Sequence, residues 1–323
     1  MLNHIPDSIE LVDYVDDGEQ ARHYRFRILP SNKGNIEKYQ LQPSQQHHWQ
    51  YNWGKVQPGQ FFMLNVPSLG EAPFTFTEAP NKQGEFRAFI RKMGQVTSQL
   101  FTMQPGDILG ARGPFGRGWP LNTTSSNNNT LVVAGGCGLA PLVTLIDNFV
   151  NRLIAQRAIS VQTNQESIQE EKQQLVLIYG ARNKGAQLLT PERARWHEHI
   201  KIFNTLDEYE ENKSATTVQG SPLTVLPKAL GFFTSPPTIA MLCGPEIMMK
   251  SVATSLTEYG LASNTIFLAL ERRMHCAVGL CGHCYINNQY VCKSGPTFSW
   301  QEYQELINIS DFSTNFSTNF SSN

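Results

Sequence analysis

Along the first third of the chain, apolar residues come in short runs broken by turn residues, with little helical periodicity. Runs of this kind cover Arg22 to Leu29, Gln60 to Val66, Glu85 to Lys92 and Asp107 to Ala111, with Pro58-Gly59 and Pro105-Gly106-Asp107 between them. Short alternating segments punctuated by Pro and Gly predict antiparallel strands closing into a barrel or sandwich. After Ser125-Ser126-Asn127-Asn128-Asn129, a polar linker, the pattern changes. Leu131 to Ala134 is continuously apolar, as in a strand buried on both faces, and an amphipathic helix is expected to follow through about Ala155. Further buried strands are predicted at Leu175 to Gly180, Ile239 to Cys243 and Thr265 to Leu270, with helices at Pro191 to His199 and Glu246 to Tyr259. Strands alternating with helices predict a doubly wound parallel sheet.

Three stretches fall outside this pattern. Ser31 to Trp53, rich in Gln, His and Asn, reads as a surface insertion, and the Gln/Glu-rich Gln156 to Gln174 as a charged, partly disordered or helical insertion with no chemistry in it. Beyond a short helix at Gln301 to Ile307, residues 308–323 repeat Phe with Ser, Thr and Asn and read as a disordered tail whose regularly spaced Phe could dock on a partner. The expected organisation is therefore β + α/β: an antiparallel β-barrel over 1–124, a parallel-sheet domain over 125–270, a small C-terminal module over 271–307, and the tail.

Composition narrows the function classes. A 323-residue chain with 40% hydrophobic residues and a net charge of −1 has cores for two domains and no electrostatic case for nucleic acid or an anionic membrane surface. The apolar stretch Leu139 to Ala155 is interrupted by Asp147, Asn148, Asn151 and Arg152, so membrane insertion is not expected. The N-terminus shows no basic n-region or apolar h-region, and the expected compartment is the cytoplasm.

Four of the six cysteines lie in one window. Cys276, Cys281, Cys284 and Cys292 are spaced C-x4-C-x2-C-x7-C, and the first intervals match the plant-type [2Fe-2S] run. Gly279 and Gly282 suit a loop wrapped tightly round sulfide, and Arg272, Arg273 and Lys293 offset the negative charge of four thiolates. The competing reading is a zinc knuckle on Cys281 and Cys284, which would want a second close pair. His275 and His283 flank the ligands and read as bystanders. Upstream, the strand, the glycine-rich turn Gly136-Cys137-Gly138-Leu139-Ala140-Pro141 and the following helix form a ready phosphate site or, equally, a tight packing turn.

Taken in order, Gly136 to Pro141, Tyr179-Gly180-Ala181-Arg182, Cys243-Gly244-Pro245 and Leu270-Glu271-Arg272-Arg273-Met274 before the cysteines resemble the ferredoxin-NADP reductase superfamily. Within it, the chain is similar to the FAD, NAD(P) and [2Fe-2S] electron-transfer subunits of NiFe hydrogenase (sulfhydrogenase gamma), anaerobic sulfite reductase and dihydroorotate dehydrogenase. The resemblance spans about residues 9 to 300.

That resemblance implies FAD on the barrel, NAD(P)H on the parallel sheet and a partner catalytic redox subunit of hydrogenase or reductase type, or ferredoxin. Its first flavin motif falls on Ala72-Pro73-Phe74-Thr75-Phe76, with Phe74 against the flavin ring and Thr75 near its N5. Ala72 stands where the family has a phosphate-binding Arg. Phe76 reads equally as a core aromatic. The second flavin motif falls on Gly94-Gln95-Val96-Thr97, with Arg91 as the substitute phosphate ligand. On the nucleotide side it implies Gly136, Gly138, Leu139, Ala140, Pro141, Gly244 and Pro245, with Cys243 near the nicotinamide or simply a buried strand-end thiol. Glu271 and Arg272 face the same cleft or form a plain salt bridge, and Arg182 pairs with a nucleotide phosphate or a surface carboxylate. Thr75 and Cys243 are the expected catalytic positions. The expected role is electron transfer, with a free-standing reductase or a zinc-containing, non-catalytic redox-sensing module as alternatives.

Overall fold

A computed structural model describes residues 5–30, 53–120, 129–163, 174–208 and 217–307. The polar linker up to Asn128, nearly all of the first expected insertion, most of the second and the Phe-rich tail lie outside the described residues.

The first unit is a six-stranded antiparallel sheet formed by β1 (Asp7–Asp16), β2 (Ala21–Ile28), β3 (Phe61–Val66), β4 (Gly70–Thr75), β5 (Glu85–Arg91) and β6 (Ile108–Phe115), in the order β4-β3-β6-β1-β2-β5. A short helix, α1 (Gln95–Leu100), follows β5. The expected barrel is barrel-like and not closed. Its edge strands β4 and β5 do not pair along their length, but the chain leaving β4 crosses to β5, where Thr77 N–H donates to Arg87 O (2.9 Å) and Glu78 bridges Arg87. The break in pairing coincides with Phe76, which turns inward. Its ring is 1% exposed among Trp53, Phe62 and Phe86. An apolar interior of this kind, with polar residues alternating outward, is what the period-two pattern demands.

The second unit is a seven-stranded sheet. It comprises β7 (Thr130–Gly135), β8 (Leu175–Ala181), β9 (Lys201–Leu206), β10 (Thr217–Gln219), β11 (Ile239–Cys243), β12 (Ile266–Ala269) and β15 (Thr297–Ser299), in the order β10-β9-β8-β7-β11-β12-β15. All neighbours are parallel except β15, which runs antiparallel to β12. The continuous apolar run of β7 has its reason here. Leu131 and Val133 enter one core, Val132 and Ala134 the opposite one, and both faces are covered. The helices α2 (Val143–Thr163) and α3 (Thr190–Trp196) cover one face; α4 (Pro222–Leu230) and α5 (Glu246–Glu258) cover the other.

The stretch Gly136–Gln156 is long and apolar enough to cross a membrane, but half of it is buried, with Val143, Ile146 and Val150 in the core beneath. The cysteine loop, the small hairpin β13 (Tyr285–Ile286) and β14 (Gln289–Tyr290), and the helix at 300–307 complete the described chain. Ala277, Cys284, Val291, Cys292, Trp300 and Tyr303 share one core with the parallel sheet and with Phe61, Met63 and Phe115 of the first unit.

Candidate functional site

The parallel sheet reverses direction between β7 and β11: from β7 the chain winds outward through β8, β9 and β10, then returns to β11 on the other side. Ligands of open α/β sheets bind at such a switch point, beyond the carboxyl ends of the strands. Both glycine-containing turns sit there. A Cβ on Gly138 would lie 2.5 Å from Cys243 O and 2.6 Å from Gly244 N, so only glycine lets the turn after β7 press against the end of β11. The turn itself, Gly136–Leu142, is a 3-10 segment with Gly138, Leu139 and Ala140 buried and Pro141 half-buried. Its end is held by the first unit, where Trp119 Nε1–H donates to Pro141 O (2.8 Å).

Several chemically distinct side chains meet in the cleft between the two units. Arg91, at the end of β5, reaches the Cys137 thiol, while the charge of Glu271 is felt by both Cys137 and Cys243. Burial pushes the Cys137 thiol up, and the Arg91 guanidinium opposes the shift. Cys243 is 1% exposed, and burial pushes its thiol far above the usual range. Desolvation in the cleft also raises the Glu271 carboxyl. Cys243 is therefore a neutral, apolar contact at pH 7, suited to packing against an aromatic ring and not to nucleophilic chemistry.

On the first unit, Pro73, Phe74 and Thr75 form the half-buried end of β4. The Phe74 ring packs on Phe62, with centroids 6.3 Å apart, and Thr75 Oγ1–H donates to Gln60 O (3.1 Å), which leaves the hydroxyl oxygen able to accept. Thr97 Oγ1 accepts from the N–H groups of Met93 (2.8 Å) and Gly94 (2.9 Å), which fixes the turn of the second flavin motif; Val96 packs against the barrel-like core. Two sequence candidates are placed elsewhere. Phe76 belongs to the interior, and the exposed Arg182 is paired with Glu208 (Nε to Oε1, 2.8 Å).

The cysteine loop turns back on itself through Ala277, Gly279 and Gly282, at φ of 60°, 75° and 79°. Left-handed positions swing successive N–H groups to one side, and here that side is sulfur. The N–H groups of Val278, Leu280 and Cys281 donate to Cys276 Sγ at 3.5, 3.3 and 3.4 Å. The His283 N–H is the main contribution pulling the Cys281 thiol down to about 7, and the Gly279 N–H reaches Cys292. Burial, and then the neighbouring Cys284 thiol, push Cys292 up to about 12. Four free thiols on one loop, Cys276 beside Cys281 and Cys284 beside Cys292, with backbone donors aimed at sulfur, suit a cluster of four thiolates and two irons. His275 and His283 meet edge to face, with centroids 4.3 Å apart and ring planes at 66°.

Sequence reasoning missed how the loop is tied down. Arg112 on β6, 7% exposed, is clamped by the Glu71 carboxylate of β4 through Nε (3.0 Å) and Nη2, and its Nη1 donates to Cys276 O (3.3 Å). Glu71 immediately precedes Ala72, so Cys276 is bonded, through one guanidinium, to β4, the strand that carries the expected first flavin motif. A lone Arg within the strand pattern Ile108–Phe115 was the available signal. A second brace was also missed. Glu246 accepts from Tyr303 Oη–H (2.5 Å) and Arg272 Nη1–H (2.9 Å), joining α5, the 300–307 helix and the segment entering the cysteine loop.

Comparison with known proteins bears on the same regions. Residues 271–304 match the iron-sulfur cluster binding domain of dihydroorotate dehydrogenase B, and residues 132–254 match the oxidoreductase NAD-binding domain. The chain is 32% identical over 257 residues to sulfhydrogenase 1 subunit gamma of Pyrococcus furiosus, covering 75% of this chain and 79% of that protein. It is 31% identical over 253 residues to a probable dihydroorotate dehydrogenase B (NAD(+)) electron transfer subunit of Methanocaldococcus jannaschii, covering 77% and 81%. Among solved structures, the NADH-dependent reduced ferredoxin-NADP oxidoreductase superposes with a TM-score of 0.63 at 21% identity, over 93% of this chain and 91% of that one. The ferredoxin reductase of carbazole 1,9a-dioxygenase gives 0.58 at 17%, over 81% and 68%. At those identities the two structures speak for the fold.

Proposed function

The chain belongs to the family of NAD-linked, iron–sulfur electron-transfer subunits that includes the sulfhydrogenase gamma subunits and the electron-transfer subunits of dihydroorotate dehydrogenase B, and from that premise we propose how its residues divide the work. Electrons pass between NAD(P)H, held at the switch point of the parallel sheet, and a separate catalytic redox subunit of hydrogenase or reductase type. FAD would be held on the antiparallel sheet, and Cys276, Cys281, Cys284 and Cys292 would hold a [2Fe-2S] cluster that supplies one-electron chemistry. The observation that carries this reading is the Glu71–Arg112–Cys276 connection, which sets the cysteine loop against the flavin strand.

When bound, the flavin supplies the conversion between two-electron hydride chemistry and the one-electron chemistry of an iron–sulfur cluster. The chain's own residues orient and enclose. Gly136 to Pro141 and Gly244-Pro245 present backbone to the dinucleotide. The neutral Cys243 thiol packs against the nicotinamide and keeps water from it. Thr75, already held by Gln60 O, has an oxygen free to accept from a flavin ring N–H, and Phe74 supplies an apolar floor. With Ala72 in place of an arginine, Arg91 at the end of β5 supplies the positive charge for the flavin diphosphate. The division into 1–124, 125–270 and 271–307 follows these three roles, and the site of action is the cytoplasm.

Anaerobic purification followed by flavin, iron and zinc analysis, with EPR before and after NADH or NADPH, tests the proposal. About one flavin and two irons per chain are expected, with a cluster signal appearing on nucleotide addition. Zinc on the four cysteines with no flavin would overturn it.

A further inference from the structure

At the seam between the two units, away from the cysteine loop, three ionisable side chains meet. His23 of β2 is 7% exposed and Asp17, in the turn after β1, is 9% exposed; both belong to the antiparallel-sheet unit. Glu192 lies in the first turn of α3 in the parallel-sheet unit. Their ligand atoms all fall within 4.8 Å of one another.

The imidazole is fixed by its contacts. Asp17 Oδ2 takes the backbone N–H of Thr190 (3.0 Å) and, on its other side, the Nε2–H of His23 (2.9 Å). Since the carboxylate only accepts, Nε2 carries a hydrogen, and Nδ1 points the other way. Glu192 Oε1 lies there at 3.6 Å, too long for a hydrogen bond. Glu192 Oε2 is buried with no hydrogen-bond partner. A ring nitrogen and a carboxylate facing each other in a buried seam at 3.6 Å, one carboxylate oxygen unsatisfied, is an arrangement that costs free energy unless a proton or a metal ion lies between them.

The separation is informative. Two ligands bound to one zinc-like ion at about 2.0–2.2 Å lie about 3.3–3.6 Å apart when the coordination is near tetrahedral. The carboxylate–imidazole pair behind it, Asp17 on Nε2, has the form of the outer partner that orients a metal-bound histidine. His23 and Glu192 also line a cleft of about 710 Å³ between the units, whose wall includes Thr144, Asp147, Pro58 and Thr77. The cleft offers an entry path and room for waters to complete the coordination. Other charges face the pair: the Arg193 guanidinium interacts with Asp17 and Glu192, and Arg195 and Asp147 pair with each other (2.7 Å). The Arg193 cation therefore stands against the two carboxylates, Asp17 and Glu192, at the seam.

We propose that His23 Nδ1 and the Glu192 carboxylate bind one divalent first-row transition ion, of which zinc is the representative, with Asp17 as the positioning residue behind the imidazole. The ion clips the antiparallel sheet to α3 and is separate from the iron of the cysteine loop. Nitrogen and oxygen donors with open positions suit zinc, manganese or ferrous iron and disfavour magnesium.

The test is calorimetric titration of the full-length, cluster-loaded protein with Zn²⁺ after mild chelation, with iron and flavin counted before and after, alongside Co²⁺ titration followed by visible absorption. One Zn²⁺ per chain is expected at micromolar affinity or tighter, with iron and flavin unchanged. Binding should disappear in His23→Ala and in Glu192→Gln and weaken about 10–100-fold in Asp17→Asn. A rise in melting temperature on zinc addition that wild type shows and His23→Ala lacks gives a second readout. Absence of stoichiometric zinc binding to the wild-type protein, or binding unchanged in both His23→Ala and Glu192→Gln, overturns the proposal and leaves a proton on Nδ1 as the occupant.

Discussion

Single atoms set the limits of this site. The position of the Gly138 Cα is dictated by Cys243 and Gly244, whose backbone atoms leave no space for a methyl group. Gly138→Ala is therefore expected to push the nucleotide turn away from β11. The cost is about 1–3 kcal/mol of stability, and the KM for the preferred nucleotide rises roughly tenfold or more as the turn is misplaced. Flavin and iron contents should stay at wild-type values, and steady-state dye reduction measures the effect. At the cluster, Cys281 is the exposed member of the four, with its thiol held low by the His283 N–H. Replacing it by serine removes one of four thiolates while leaving the core cysteines Cys284 and Cys292 in place. The expected result is loss of most of the iron and of the EPR signal, with retention of NAD(P)H-dependent reduction of a dye that takes electrons from flavin. Loss of both activities together would mean that the loop also supports the flavin sheet.

Between elements, the second unit is held by a brace that titrates. Burial raises the Glu246 carboxyl, but hydrogen bonds from Tyr303 and Arg272 more than offset this, so its value in the folded chain lies below that of an ordinary glutamate. A carboxylate that binds its proton less tightly when folded contributes stability above the unfolded value of about 4.3 and loses it as pH falls through the lower folded value. Glu246→Gln is accordingly expected to cost about 1 kcal/mol at pH 7, the pair being partly exposed. The difference from wild type should be smaller at acidic pH, below the lowered folded value. Urea midpoints at the two pH values check it, and a difference undiminished in acid would show that the brace is not ionic. The brace also explains why Trp300 and Tyr303, which follow the cysteine loop in the chain, pack beneath the parallel sheet. The short helix at 301–307 was visible in the sequence as an apolar-polar pattern; its docking surface was not, since the partners Glu246 and Arg272 are remote along the chain.

Across the whole molecule, Arg112 joins the antiparallel sheet to the cysteine loop, and it does so from a buried position. Arg112→Met leaves Glu71 with 18% side-chain exposure and no cation. Removing one partner of a buried pair typically costs about 3–5 kcal/mol. Iron loss to a chelator should also speed up, because the Cys276 carbonyl loses its tie to β6. Adding Glu71→Leu to Arg112→Met should restore much of the stability without restoring iron retention, a separation that thermal melts and timed iron release would reveal. Recovery of both would mean that the guanidinium acts on the fold alone.

The division between what was legible and what was not follows the range of the interactions. Periodicity, turn residues and cysteine spacing are local, and they were enough to indicate two sheets of different kind, the switch of class near residue 130 and a four-cysteine loop, because backbone geometry and thiolate chemistry act over a few residues. Only the tertiary structure decided the rest. It left the expected barrel unclosed between β4 and β5, turned Phe76 inward, paired Arg182 with Glu208 at the surface, and added β15 antiparallel to β12. It also brought Arg112 to Cys276 across 164 positions and His23 to Glu192 across 169. Such contacts depend on which faces two distant segments bury against each other, and no local pattern of polar and apolar residues records that choice.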